Sequence, residues 1–139
     1  MTQDGTFPIP GNAGGTPWLK GDVFDPACPT RLLLDRIGDK WSVLVLLLLG
    51  EEARRFNELK RRIAGVSQKM LSQTLRMLER DGLVTRQVIA TKPVSVRYAI
   101  TPLGAELLDA LRALMMWSEQ RIGAVLAAQR AYDGREASA

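Results

Sequence analysis

The feature that most constrains this chain is an apolar run near its middle. Residues 43–49 read VLVLLLL, and Trp41 comes just before them. A helix that is apolar nearly all round has no side for water, so it belongs at the centre of a fold. The run is also much shorter than the roughly 20 residues that cross a bilayer. We therefore expect a globular domain built around this helix, with no membrane partner.

Other elements surround this central helix. The predicted order is helices at 29–37, 41–49, 57–64 and 67–82, strands at 83–89 and 94–100, and a helix from 102 to about 132. Pro29 and Pro102 suit first helical turns, whereas Asn57, Ser67 and Thr101 suit N-caps. The second strand alternates apolar and polar side chains, which is a strand period. The predicted fold class is mainly α with a small β-hairpin.

The two ends of the chain differ from this body in composition. Residues 1–22 include FPIPGNAGGTP, whose glycines and prolines cannot build a core, so we predict a flexible N-terminal arm. Residues 23–132 are predicted to form one domain. Residues 133–139 are predicted to be a frayed tail.

Positive charge is concentrated in the middle of the chain. Residues 31–101 contain 14 Lys and Arg against 7 Asp and Glu, whereas the rest contains 5 against 8. A basic middle between acidic ends is typical of a protein with an anionic partner. A solvated basic surface without a partner gives the same pattern.

The composition argues against an enzyme. The chain has no His, which removes the usual general base and the commonest metal ligand. Its one Cys allows neither an intrachain disulfide nor a paired-cysteine metal site. We expect no catalytic residue, no metal and no cofactor. The N-terminus lacks the features of a secretory signal, so we also expect a cytoplasmic protein.

The helix that starts at Ser67 carries hydrogen-bond donors on one side. At about 100° per residue, one arc holds Lys69, Ser72, Gln73, Arg76 and Arg80, with Ser67 and Gln68 at the helix start. The other side holds Met70, Leu71, Thr74, Leu75, Met77 and Leu78. In a DNA major groove Arg suits guanine and Gln suits adenine, while Lys and Ser suit phosphate oxygens. The donors are therefore candidate DNA-binding residues.

The short helix at 57–64 is joined to this helix through a tight Gly65–Val66 link. Two such helices form a helix-turn-helix, and the hairpin that follows would be its wing. The candidate wing contacts are Thr91, Lys92 and Arg97, with Lys92 at the tip reaching the backbone or a minor groove. Two alternatives stay open: a merely solvated amphipathic helix, and a winged helix that contacts protein or RNA.

Several motifs in fixed order give the chain a family resemblance. They are CPTRLLLDRIGDKWSVLVLLLL, RRFNELKRRIAGVSQKMLSQTLRMLERDGLV and VSVRYAITPLGAELL. On these motifs the chain resembles the HxlR-type winged-helix transcriptional regulators, relatives of the MarR group, over about residues 28–126. The resemblance implies a homodimer that binds double-stranded DNA and represses or activates nearby genes. It also implies a recognition helix bearing Gln68, Lys69, Ser72, Gln73 and Arg76, and a wing around Lys92.

The last helix carries an apolar stripe that one small domain can hardly cover. Its members include Leu107, Leu111, Leu114, Trp117 and Ile122. We expect two dimerisation helices, at about 26–37 and 102–132, that cover the stripe in a homodimer. A two-fold dimer predicts a roughly palindromic operator. The alternative is a helix that lies wholly on its own domain.

The single cysteine, Cys28, precedes Pro29 at the start of the first helix. Unpaired N–H groups there favour a thiolate, and some relatives in the resembling family sense oxidants or electrophiles with a cysteine at the matching place. Cys28 is therefore a candidate redox-sensing residue, and the alternative is an inert thiol retained for packing. A small-molecule effector in an apolar pocket near Trp41 is a further hypothesis.

Overall fold

The computed structural model describes residues 22–138. Its helices are α1 (Pro29–Gly38), α2 (Lys40–Leu49), α3 (Phe56–Arg62), α4 (Gln68–Arg80) and α5 (Pro102–Ser138), and its strands are β1 (Arg54–Arg55), β2 (Val84–Ile89) and β3 (Ser95–Ile100). The predicted fold class, mainly α with a small β-hairpin, is confirmed. The predicted N-terminal arm, apart from Asp22, lies outside the described residues.

The apolar run lies in the core, as the sequence predicts. α2 packs against α1, α4, α5 and β3, and Val45, Leu46 and Leu49 are at most 2% exposed. Leu44 and Leu47 are only half-buried. The central position of α2 is therefore confirmed, although one side of the helix is incompletely covered.

The sheet has one strand more than the sequence predicts. Its three antiparallel strands run in the order β1-β3-β2. In the register, Tyr98 of β3 faces Arg54 of β1 on one side and Arg86 of β2 on the other. β1 has only two residues, which is too short to show an alternating pattern.

The start of α3 differs from the prediction that Asn57 is its N-cap. The helix begins one residue earlier, at Phe56, and Arg55 holds the extended cap position. The backbone N–H of Arg55 donates to the Glu58 carboxylate at 2.8 Å. The Glu58 side chain thus satisfies a backbone donor at this end, and Asn57 lies inside the helix.

α5 starts as predicted and ends later than predicted. Its first residue is Pro102, and the backbone N–H of Gly104 donates to the capping hydroxyl of Thr101 at 3.0 Å. The helix continues to Ser138, six residues beyond the predicted end at Tyr132, so the predicted tail is helical as far as Ser138. Alanine, arginine and glutamate favour helix there, and one interior glycine costs only about 1 kcal/mol. Among residues 22–138, no helix is both long and apolar enough to cross a membrane.

Candidate nucleic-acid interface

A short turn between α3 and α4 sets the position of the second helix. Gly65 in this turn has a φ of +88°, a conformation that residues with a side chain disfavour. Val66 is buried beside it. Ser67 then caps α4, because the backbone N–H of Met70 donates to its hydroxyl oxygen at 3.1 Å. The predicted helix-turn-helix and its Ser67 cap are therefore both present.

α4 has one buried face and one polar face. The buried residues are Leu71, Thr74, Leu75 and Leu78. The exposed polar residues are Gln68, Lys69, Gln73, Arg76 and Arg80, and Ser72 is half-buried beside them. Met70 and Met77 were expected on the packed side, but they are 42% and 45% exposed. Both lie about a quarter turn from the centre of the buried row, where burial by the domain ends.

The polar face of α4 keeps its positive charge. Ion pairs among the described residues use Arg36, Arg54 and Arg112, and none uses a basic residue of α4. Lys69, Arg76 and Arg80 therefore carry charges that no acid in residues 22–138 neutralises by direct contact.

The wing tip contains two of the three predicted wing residues. Thr91 and Lys92 are exposed in the turn between β2 and β3. The Thr91 hydroxyl donates to the Pro93 carbonyl oxygen at 2.8 Å, which helps to shape this turn. Arg97 lies instead in the middle of β3, on the strand face opposite to Tyr98. Arg97 therefore lies on a strand of the hairpin, as the sequence predicts, and its contact with DNA stays a prediction.

A cleft that was not predicted from the sequence lies between α4 and the sheet. Its volume is about 270 Å³, and its lining residues are Phe56, Ser72, Arg76, Glu79, Arg86 and Tyr98. Arg86 and Tyr98 face each other across β2 and β3, so their side chains share one face of the sheet. One signal was available in the sequence. Arg86 follows the buried Val84 by two residues, so strand alternation places both on the core-facing side.

A buried ion pair connects α1 to the end of α4. The Arg36 guanidinium donates to the Asp81 carboxylate, and the two side chains are only 7% and 8% exposed. Arg36 is the one buried residue of α1, and Asp81 is the C-cap of α4. Charged groups are rarely buried unless they are paired. The pair thus fixes the last turn of α4 relative to α1.

The predicted stripe on α5 divides into a covered and an uncovered part. Leu111 is 2% exposed and Leu107 is half-buried, and both pack on the core of their own domain. Leu114, Trp117 and Ile122 are 47%, 56% and 51% exposed. The place of Leu111 in a surface stripe is therefore wrong, because the domain itself covers the first turns of α5. The uncovered stripe begins at Leu114.

Cys28 holds the N-cap position of α1 and is only 6% exposed. Its backbone N–H donates to the Asp25 carbonyl oxygen at 2.9 Å. Pro29 follows at the start of the helix, as predicted. A buried thiol at a helix N-terminus is compatible with both the packing and the sensing hypotheses.

An apolar groove lies between α2 and the end of α3. Its volume is about 410 Å³, and its lining residues are Leu44, Leu47, Leu48, Arg62, Ile63 and Ala64. The groove follows the side of α2 that the domain covers incompletely. Trp41, near which an effector pocket was expected, does not line this groove.

A helix-turn-helix followed by a β-hairpin, whose second strand also pairs with the short β1, defines a transcriptional regulator of the winged helix-turn-helix class. The model of the HxlR-like helix-turn-helix family matches residues 36–125. The HTH-type transcriptional regulator YtfH of Escherichia coli is 41% identical over 108 residues, which cover 78% of this chain and 86% of YtfH. The chain belongs to the HxlR-like helix-turn-helix family.

Solved structures agree with this assignment. The YtfH transcriptional regulator of Salmonella typhimurium is 39% identical, with a TM-score of 0.73, and the match covers 80% of this chain and 99% of that one. The oxidised form of the redox regulator HypR is 35% identical, with a TM-score of 0.62, and the match covers 67% of this chain and 96% of that one. The predicted relationship to HxlR-type and MarR-like regulators is confirmed.

Proposed function

We propose that the protein binds duplex DNA as a homodimer and reads a roughly palindromic operator. Each protomer would insert α4 into a major groove, which accepts one α-helix. The observation that carries this proposal is the polar face of α4, where Lys69 and Gln73 are exposed while the opposite face is fixed in the core. Thr91 and Lys92 at the wing tip would contact the neighbouring backbone or minor groove.

The uncovered apolar surfaces support the homodimer. Leu114, Trp117 and Ile122 on α5 are about half exposed, and Leu32, Leu33 and Leu34 on α1 are between 42% and 49% exposed. Apolar area of this kind marks association surfaces. A two-fold dimer would place its two recognition helices on half-sites about 10 base pairs apart, which is one DNA turn.

Selection of bound fragments from genomic DNA, followed by fluorescence anisotropy on the selected duplex, tests this function. We expect an enriched sequence with two-fold symmetry, bound at least about a thousandfold more tightly than scrambled DNA at physiological salt. Equal affinity for selected and scrambled duplexes would contradict base reading. Such a result would favour the use of the winged helix for protein or RNA contact.

A thiol response at Cys28 is a second candidate function. It is favoured by the similarity to the redox regulator HypR and by the place of Cys28 at the start of α1, whose leucines belong to the proposed dimer surface. Diamide would oxidise two thiols to a disulfide, either between Cys28 and a small thiol or between the two protomers, and would itself be reduced to the hydrazine. We expect diamide to change operator binding by the wild type and not by Cys28→Ser. An equal response of both proteins would exclude Cys28 as the sensor.

A further inference from the structure

We infer that the cleft between α4 and the three-stranded sheet binds a backbone phosphate of DNA. In this inference Arg76 contacts that phosphate rather than a base edge. This inference rests on the proposed DNA-binding function and assigns one further contact to it. By residue type alone, Arg76 was expected to read guanine. Its position in the cleft lining, together with Arg86 and Tyr98 from the sheet, favours a phosphate instead.

The cleft offers the groups that a phosphodiester needs. Arg76 and Arg86 supply two guanidinium groups, whose planar donors match phosphate oxygens in bidentate geometry. Ser72 and Tyr98 add two hydroxyl donors from the half-buried wall of the cleft. Neither arginine forms an ion pair with another residue in the described part of the chain. Both charges are therefore available to an anion.

The place of the cleft in the fold explains why a phosphate should reach it. When a recognition helix lies in the major groove and a wing lies in the adjacent minor groove, the DNA strand between the grooves must pass between helix and wing. α4 packs on β2, and the cleft opens between these two elements. Arg86 shares a sheet face with the buried Val84, so it extends from β2 on the side of α4. A phosphate of the strand between the grooves would therefore meet Arg76 and Arg86 together.

One acidic residue in the cleft allows a test in which a substitution should raise the affinity for DNA rather than lower it. Glu79 also lines the cleft, so the lining carries two positive charges and one negative charge. A carboxylate close to a bound phosphate repels it, and Glu79→Gln removes that repulsion while keeping the side-chain shape. Glu79→Gln should therefore tighten binding to every duplex, operator or scrambled. Glu106→Gln makes the same substitution at an exposed acid of α5 that forms no ion pair within residues 22–138, so it is the control for a change in net charge alone.

The direct experiment pairs protein variants with a DNA backbone from which one charge is removed. Each phosphate of the selected operator is replaced in turn by a neutral methylphosphonate, and affinities are measured by anisotropy for the full-length wild type, Arg86→Gln and Arg97→Gln. We expect one phosphate per half-site, between the helix and wing contacts, whose neutralisation weakens the wild type about tenfold. The same neutralisation should have almost no further effect on Arg86→Gln. Arg97→Gln makes the same charge change on the other sheet face, so it should retain the full wild-type sensitivity.

The salt dependence of binding checks the same inference without modified DNA. Arg76→Gln and Arg86→Gln should each lower the slope of log affinity against log salt by about one per protomer. Both should weaken operator and scrambled duplexes by similar factors. If Arg76→Gln lowered the affinity for the operator but not for scrambled DNA, the inference would be overturned and Arg76 would again be assigned to base reading. Equal methylphosphonate sensitivity in wild type and Arg86→Gln would also overturn it.

The proposed function and this inference fail in different ways. If the wild type does not distinguish operator from scrambled DNA, sequence reading fails, yet a fall in salt slope in Arg86→Gln would still support the phosphate site. If the wild type prefers its operator and Arg86→Gln keeps the wild-type slope, the function stands and the phosphate site is wrong. Matching thermal unfolding curves of Arg86→Gln and wild type ensure that a loss of binding is not a loss of fold.

Discussion

α4 and α5 expose surfaces of opposite chemical character: the exposed face of α4 is mainly polar, whereas α5 exposes many apolar side chains. The 13 residues of α4 bury four side chains in their own domain and leave a polar surface. The 37 residues of α5 bury only three residues, all within the first ten positions, and leave apolar side chains such as Leu114 and Trp117 exposed. A helix fixed by its own domain can offer polar groups to a polyanion. A helix that projects beyond its domain offers apolar area, which suits a second protein chain.

The largest expected effect concerns the ion pair that fixes the end of α4. Arg36→Ala or Asp81→Ala leaves one buried charge without its partner, so each should lower the free energy of unfolding by about 3–5 kcal/mol. Urea denaturation measures this loss. On α5 the pair Arg112–Asp109 is more than half exposed, so Arg112→Ala should cost about 0–1 kcal/mol. If Arg36→Ala and Arg112→Ala lowered the free energy of unfolding equally, the buried ion pair at the end of α4 would contribute no more to stability than the exposed pair on α5.

Two leucines of α5, one turn apart, separate the part that belongs to the protomer from the part proposed for the dimer. Leu111→Ala creates a cavity in the core and should lower the free energy of unfolding by about 2–5 kcal/mol. Leu114→Ala should instead weaken self-association, so its effect on unfolding should vary with protein concentration. Urea denaturation at two protein concentrations and sedimentation velocity measure the two effects. A monomeric wild type at micromolar concentration would contradict the assignment of Leu114.

The next effect is on base reading by α4. Gln73→Ala should weaken operator binding by about 1–3 kcal/mol and leave binding to scrambled DNA nearly unchanged. Gln87→Ala, an equal truncation at an exposed position of β2, is the matched control and should change neither affinity. Anisotropy titrations on both duplexes provide the comparison. A similar loss on both duplexes would make Gln73 a general contact rather than a base reader.

The smallest effect is expected at the wing tip. Lys92→Ala should lower the salt slope by about one per protomer and weaken operator and scrambled DNA alike. Arg130→Ala removes a positive charge from the exposed end of α5 and should leave the slope unchanged. If Arg130→Ala lowered the slope as much as Lys92→Ala, net charge rather than the wing would explain the result.

Local signals in the sequence predicted most of the fold. The polar and apolar residues of α4, its Ser67 cap and the start of α5 at Pro102 depend on neighbours within one or two helical turns. The two-residue strand β1 exists only because β3 lies beside it, and no local pattern marks it. The late end of α5 escaped prediction because Gly134, a residue type that commonly marks a helix end, lies inside the helix, and the good helix formers around it continue the helix to Ser138.

The features of the site that escaped prediction depend on residues distant in sequence. Arg36 and Asp81 are 45 residues apart, and their pairing depends on how α1 crosses the end of α4. Arg86 and Tyr98 meet through the register of β2 and β3 and reach Arg76 only through the packing of α4 on the sheet. The residue types of the polar face could be predicted from the sequence, whereas the proposed division between base-reading and phosphate-binding members depends on tertiary structure.

Hydroxyl-radical footprinting of the full-length wild type on its selected operator tests the central claim most directly, because it maps where the backbone is covered. Two recognition helices in a two-fold dimer predict two equivalent protected segments, related by the dyad of the operator and centred about 10 base pairs apart. A single protected segment, or two segments whose spacing does not match whole turns of DNA, would contradict the account.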